Sequence, residues 1–245
     1  ITDIDEDRYG NLWIGTYYGL NFWNRKEQIF IKYFYQSNDT NCLSNNYVRA
    51  LQCHDDGTVW IETIDGVLNH FNPKTNTFQH FGHQAVTQEY YNNHIVYLED
   101  TGSVWVGGRN VYPHKFDIAT QTFKIFPPNK NDSLAKKESD VSCYYTDSKR
   151  NFWVLGVDGA YILKEEKYFH KKLSGSCFAM VEDKKHNLWF GTGHGITIYS
   201  PNTNTFKNYT KQESLENSLV NDHINCLLLD NKDNLWIGTR NGISY

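Results

Sequence analysis

The stretch NLWIGTYYGL (residues 11–20) returns almost unchanged as NLWIGTRNGI (residues 234–243). Looser copies lie between them: TVWIETIDGV (58–67), SVWVGGRNV (103–111), NFWVLGVDGA (151–160) and NLWFGTGHGI (187–196). Six of the seven Trp mark these copies, namely Trp13, Trp60, Trp105, Trp153, Trp189 and Trp236, at spacings between 36 and 48 residues. A Gly follows the Trp by two residues at Gly15, Gly107, Gly191 and Gly238 and by three at Gly156, while Glu62 breaks the pattern in the second copy. Another Gly stands six after the Trp at Gly19, Gly66, Gly159, Gly195 and Gly242, with Val111 as the exception. An Asp precedes each Trp by five or six residues: Asp7, Asp55, Asp100, Asp147, Asp183 and Asp230.

Working outward, each copy reads as four strands. Strand A is a short apolar run ending in the Asp, as in CFAMVED. A tight polar turn follows, built from residues that stabilise hairpins. Strand B carries the Trp, and a two-residue turn leads to the second Gly, where positive φ is tolerated. Strand C, a Pro/Asn turn and strand D complete the unit; FNPKTNTFQHF (71–81) and YSPNTNTFKNY (199–209) are near-duplicates of that last part. Turns this short exclude parallel crossovers, so the sheets are antiparallel. Four strands per repeat, tiled in sequence, predict an all-β fold of propeller blades. The Trp and Gly then belong to the scaffold, as slabs and close-approach points between blades. The expected organisation is a single β-propeller over 1–245, with repeats at 1–47, 48–93, 94–139, 140–175, 176–222 and a truncated 223–245. Five full repeats and part of a sixth suggest a piece of a larger propeller array; a six-bladed ring would need a strand from elsewhere.

Composition narrows the function. The chain has 245 residues, a net charge of −4 and 16% aromatics, which fits pleated, half-buried sheet surfaces. An acidic balance disfavours nucleic acid as partner, since phosphate binding needs a basic face. There is no apolar run of membrane-spanning length, so no membrane contact is expected of this segment. Cys42, Cys53, Cys143, Cys177 and Cys226 lack disulfide or zinc spacing and read as small buried thiols on strands. The ten His show no metal-ligand pairing, His80 and His83 being the nearest approach, and DIDED (3–7) lacks the spacing of a calcium loop. No metal or cofactor is expected. The recurring Asp reads as a cap on the hairpin amides.

The combination of Asp, Trp, Gly-Thr and Gly resembles the two-component regulator propeller repeat, most closely in ITDIDEDRYGNLWIGTYYGL (1–20) and INCLLLDNKDNLWIGTRNGI (224–243). The resemblance covers essentially the whole chain and is looser in the third and fourth copies. It implies the periplasmic sensor region of a hybrid two-component system of the Bacteroidetes type, in which paired seven-bladed propellers and a β-sandwich precede a membrane helix, a histidine kinase and a DNA-binding regulator. Many such sensors respond to oligosaccharides. The partners implied are an oligosaccharide, the other propeller and β-sandwich domains of the longer chain, and a second copy in a homodimer. The chain itself shows no kinase, receiver or catalytic motif.

Strand alternation puts the B–C turns and D–A loops at one end of every blade. The D–A loops vary (36–47, 82–93, 127–140, 173–176 and 210–222), and variable loops on a rigid scaffold are where binding resides. The B–C turn residues beside them are Tyr17, Tyr18, Ile64, Asp65, Arg109, Asn110, Val157, Asp158, Gly193, His194, Arg240 and Asn241. Tyr17, Tyr18, Arg109, Asn110, Asp158, His194, Arg240 and Asn241 form the candidate ligand set, because a sugar site needs flat apolar faces and polar forks. Arg109 and Arg240 could grip a carboxylate or sulfate. A propeller glycosidase or lyase is the alternative, on the strength of Asp56-Gly57-Thr58-Val59-Trp60, which echoes a sialidase turn; a protein–protein scaffold is another.

Overall fold

The computed structural model describes residues 1–82, 94–99, 102–108, 111–126, 141–164, 167–171, 173, 175–215 and 217–245. All its regular structure is β-strand, forming the antiparallel blades of a β-propeller. The chain falls into two compact units, 1–138 and 139–245.

The first unit holds three four-stranded meanders. Blade 1 comprises β1 (Asp3–Glu6), β2 (Leu12–Thr16), β3 (Gly19–Asn24) and β4 (Ile29–Tyr33). Blade 2 comprises β5 (Val48–Cys53), β6 (Val59–Thr63), β7 (Val67–Asn72) and β8 (Thr77–Gly82). Blade 3 comprises β9 (His94–Glu99), β10 (Ser103–Gly108), β11 (Val111–Asp117) and β12 (Thr122–Ile125). In the second unit, blade 4 comprises β13 (Val141–Thr146), β14 (Phe152–Gly156), β15 (Gly159–Lys164) and β16 (Lys167–Lys171). Blade 5 comprises β17 (Cys177–Glu182), β18 (Leu188–Thr192), β19 (Gly195–Ser200) and β20 (Thr205–Tyr209). The last sheet has three strands, β21 (Ile224–Leu229), β22 (Leu235–Thr239) and β23 (Gly242–Ser244).

The core lies between successive blades. Trp13 and Leu20 of blade 1 pack with Val48, Leu51, Ile61 and Phe71 of blade 2. Trp60 and Leu68 pack with Val96, Val104 and Phe116 of blade 3, and Trp153 and Leu155 with Met180, Leu188 and Phe190 of blade 5. The indoles of Trp13, Trp60, Trp105 and Trp153 are all but excluded from solvent, whereas Trp236 in the last sheet is 41% exposed. Gly15 and Gly191 are small because the next blade leaves no room: a Cβ there would lie 2.7 Å from Val48 Cγ1 and 2.6 Å from Ile224 Cγ2.

Inner strands are also joined through side chains. Asp3 and Asp5 accept the Leu51 and Cys53 amides at 2.9 and 2.7 Å, Gln52 accepts the Leu98 amide at 2.7 Å, and the Tyr145 hydroxyl accepts the Glu182 amide at 3.1 Å. Each strand A otherwise has a free backbone edge, so these bonds satisfy amides that would be costly to bury.

The recurring Asp does cap the A–B hairpin. Asp147 Oδ1 accepts the amides of Lys149 and Asn151, and Oδ2 accepts the Asn151 side chain and the Trp153 indole N–H at 2.9 Å. Asp183 and Asp230 repeat the arrangement, and Asp7 makes its amide and Asn11 bonds. Asp55 is a correction: His54 occupies the equivalent position, and Asp56 does the capping by accepting the Thr58 amide and hydroxyl. Asp100 lies outside the described residues. The cysteine expectation also needs correcting. Cys42 sits in a loop, its thiol donating to the Asp39 carbonyl, and Cys226 is exposed. Cys143 and Cys177 are thiols on strands as expected, and burial pushes the Cys143 thiol up to about 12.

Candidate functional site

The B–C ends of the blades are built on one backbone plan. The first residue of a B–C turn donates its amide to the carbonyl of the residue just before its own strand A: Ile64 to Tyr47, Gly193 to Ser176 and Arg240 to His223, at 3.0–3.2 Å. The Gly that ends the turn donates outward to the next D–A loop: Gly19 to Asn46 at 2.6 Å and Gly195 to Asp222 at 2.7 Å. The Gly193–His194 turn is thereby laced to the loops on both sides, whereas Gly66 donates back within its own turn, to the Thr63 carbonyl. The Thr that closes strand B adds a third tie, since Thr16, Thr192 and Thr239 donate to the carbonyls of Gly19, Gly195 and Gly242.

Strand A contributes a second recurring device. Its pairing with strand B shifts register between Val48 and Ala50, Val141 and Cys143, Cys177 and Ala179, and Ile224 and Cys226. The extra residues are Arg49, Ser142, Phe178 and Asn225. Such a bulge breaks the pleat and re-aims a side chain near the end of the sheet.

In the first unit these devices assemble an aromatic patch. Tyr17 and Tyr18 stand at the B–C turn, 59% and 73% exposed. Tyr17 meets Tyr47 edge-to-face at 4.7 Å, and Tyr18 leans on Phe34 at 5.5 Å. Tyr35, next in sequence to Phe34, has an exposed ring, and its amide donates to Asn46 Oδ1 at 2.8 Å. Burial, and then a hydrogen bond with the Tyr17 hydroxyl, push the Tyr47 phenol up, while the nearby Arg49 charge pulls it down. The loop 36–47 is fixed beneath the patch: Asn41 pairs with the backbone of Phe78 and Asn76, the His80 ring bonds the Cys42 carbonyl at 2.7 Å, and Ser44, Thr63, Asp65 and Asn69 form a polar knot. His80 is thus a structural partner.

In the second unit His194 and Arg240 are exposed at their turns. His223, which follows loop 210–222, packs at 4.9 Å and a 40° tilt against Phe178, the bulge residue of β17. Asp158 is exposed and its carbonyl accepts from the His170 ring, while Asn241 donates its amide to Thr239. Arg109 and Asn110 lie outside the described residues, as do loops 127–140 and most of 82–93. The described candidates fall in the two units: Tyr17 and Tyr18 in one, Asp158, His194, Arg240 and Asn241 in the other. Sequence reasoning missed Tyr47 and Arg49 beside the first group and Phe178 and His223 beside the second. The available signal was positional: Tyr47 and His223 immediately precede strand A, and Arg49 and Phe178 are its second residues.

The residues of the enzyme alternative have structural partners. Asp56, Gly57 and Thr58 form a hairpin at the opposite, A–B end of blade 2. A Ser–His–Glu triangle does occur between blades 4 and 5. Ser148 Oγ and Glu182 Oε1 both meet the same ring nitrogen, His186 Nδ1, at 2.9 and 2.8 Å. A proton relay needs acid and nucleophile on opposite ring nitrogens. This triangle instead ties one A–B turn to the next strand A.

With fold and turns described, comparison with known proteins adds lineage. The model of the two-component regulator propeller matches residues 1–18 and 218–241. Those two segments match the two-component regulator propeller repeat. A curated relative, Histidine kinase P4 of Formosa agariphila, is 27% identical over 196 residues, covering 74% of this chain and 14% of that protein. Among solved structures, the extracellular domain of BT3049 from B. thetaiotaomicron, described as a hybrid two component system, superimposes with a TM-score of 0.82 at 23% identity, over 98% of this chain and 32% of that one. The corresponding domain of BT4673 from the same organism gives 0.69 at 17% identity, over 99% and 37%. PorZ of Porphyromonas gingivalis, from the type-IX secretion system, also gives 0.69, at 16% identity over 98% and 37%. The chain thus spans about a seventh of the curated relative and a third of the solved chains. These structural likenesses establish the propeller fold. Among the described residues, no helix is long and apolar enough to cross a membrane.

Proposed function

We propose that this chain is a ligand-binding propeller segment from the extracellular, periplasmic sensor of a hybrid two-component protein, and that it recognises an oligosaccharide. The observation that carries the reading is the patch of exposed rings, Tyr17 and Tyr18, held from behind by Tyr47 and Phe34 at the loop end of the blades. Sugars present flat C–H faces rimmed by hydroxyls. Rigid tyrosines offer a matching apolar face with a polar edge and lose little entropy on binding. Repeat family and curated relative supply the signalling context. Binding would act by differential affinity: a ligand that prefers one arrangement of the sensor shifts the population toward it. Other propeller and β-sandwich domains of a longer chain, and a second copy, are the partners such a relay would need.

The test is calorimetric titration and thermal shift of the chain with neutral and acidic oligosaccharides, on the native sequence and on Tyr17→Ala/Tyr18→Ala. Specific binding that weakens about tenfold or more in the variant supports the reading. Binding unaffected by the double substitution would move the site away from the patch.

A further inference from the structure

The second unit holds a cluster that the aromatic patch does not explain. His194 and Arg240 occupy the B–C turns of neighbouring blades, and His223 lies between them on the loop that joins those blades. Backbone bonds fix all three: Gly195 donates to Asp222, the residue before His223, and Arg240 donates to His223 itself. The His223 ring is packed against the bulged Phe178, with centroids 4.9 Å apart and planes tilted by 40°. Gly193 borders this pair: a Cβ there would lie at ordinary contact distance, 3.7 Å from the Phe178 ring and 3.9 Å from His223 Nδ1. His194 is held over Gly175, where any side chain would collide with its ring. The neighbouring carboxylate, Asp222, is turned to its own loop, Oδ1 accepting the Lys211 amide at 2.5 Å.

We infer that His194, His223 and Arg240 form an oxyanion subsite, walled by Phe178, which takes a carboxylate or sulfate group of an acidic saccharide. The inference rests on the loop ends binding sugar and specifies the chemistry of one position. Three groups able to carry positive charge on adjacent turns and their joining loop repel one another when charged, which an anion relieves, and guanidinium and imidazole groups offer the donors that a planar or tetrahedral oxyanion accepts. The electrostatics agree: burial, then the charges of Arg240 and His194, hold the His223 ring below the ordinary imidazole range. A bound anion reverses the electrostatic part, so anion binding and protonation of His223 are coupled and reinforce each other.

The experiment titrates the chain with an oligogalacturonide, a sulfated galactan oligosaccharide and a neutral galacto-oligosaccharide, at about pH 5.5 and about pH 8. Native protein is compared with Arg240→Gln and His223→Gln; unchanged melting curves establish that both fold. One acidic ligand should bind about tenfold tighter than the neutral one at the lower pH and weaken at the higher pH. Which of the two does so distinguishes carboxylate from sulfate. Arg240→Gln should remove most of that preference and His223→Gln its pH dependence, and saturation should raise the His223 midpoint followed by NMR of the ring protons. Equal binding of neutral and acidic ligands overturns the subsite while leaving sugar binding intact. Acidic preference that survives both substitutions also overturns it. Absence of binding by all three ligands overturns the subsite together with the sugar-binding reading beneath it.

Discussion

The indole N–H of Trp189 donates to Asp183 Oδ2 at 2.9 Å, and the other oxygen of the same carboxylate accepts the amides of Lys185 and Asn187. One side chain therefore fixes both a hairpin and the orientation of the ring that packs into the next blade. Burial pushes this carboxyl up, but the bonds from Trp189 and Asn187 outweigh it and hold it below the usual carboxylate range.

Asp183→Ala should destabilise the second unit by about 2–3 kcal/mol, the cost of several bonds to a charged acceptor. Asp183→Asn keeps one acceptor oxygen and should cost less. Because the folded-state carboxyl is held low, its contribution is fully present above the unfolded value near pH 4 and lost as pH falls through the lower folded one. Urea unfolding of both variants against the native chain, repeated at low pH, checks this; an Ala variant as stable as the native chain would show that the bond merely accompanies the fold.

Much of that arrangement was legible in the sequence. The spacing of Asp, Trp and Gly identified the hairpin, the slab and the close approach, because those positions depend on local backbone geometry repeated in each blade. His54 defeated the pattern: the hairpin is preserved there by Asp56 and Thr58, so the capping carboxylate moved two places and the motif lost its register. The C–D turns illustrate the same limit. Gln28 and Gln121 adopt the positive φ that Asn76 and Asn204 adopt in the more recognisable copies. The candidate site was half legible. Strand alternation located the B–C ends, but Tyr47 and His223 reach them through loops whose length varies, and Arg49 and Phe178 through a bulge that leaves no mark in the alternation of side chains.

Gly191→Ala should cost about 1–3 kcal/mol, the usual range for overpacking, because the new methyl meets Ile224 Cγ2 at 2.6 Å. Gly82→Ala is the control, with open space at its Cβ and an expected change within about 0.5 kcal/mol. Combining Gly191→Ala with Ile224→Ala should cost less than the sum of the single effects, since the second change removes the methyl that the first one meets. Strict additivity in the cycle would place the strain elsewhere.

His70 stacks on Trp60 at 4.2 Å, and burial holds its ring below the ordinary imidazole value of 6.5, against the hydrogen bond it donates to Gln79 Oε1, which pulls it up. The unfolded chain therefore takes up a proton before the folded one does. Stability should fall as pH drops from about 6.5 toward the lower folded value, then level off from this residue's contribution. His70→Gln should flatten that part of the profile. The comparison of denaturation midpoints between about pH 8 and pH 5 in the two proteins checks it, and an identical slope in both would assign the effect to another group.

At the aromatic patch, the two exposed tyrosines should differ in how they fail. Tyr18→Ala removes a ring 73% open to solvent that leans on Phe34 alone among its ring partners, so folding should be unaffected while oligosaccharide affinity falls about tenfold. Tyr17 also contacts Tyr47 and shares a hydroxyl hydrogen bond with it. Tyr47→Phe keeps the edge-to-face ring contact and deletes that bond, so it should lower affinity less than Tyr17→Ala does while removing one raised phenol from the absorbance titration. Affinity that drops equally in Tyr47→Phe and Tyr17→Ala would mean that the hydroxyl pair itself, and not the Tyr17 ring face, meets the ligand.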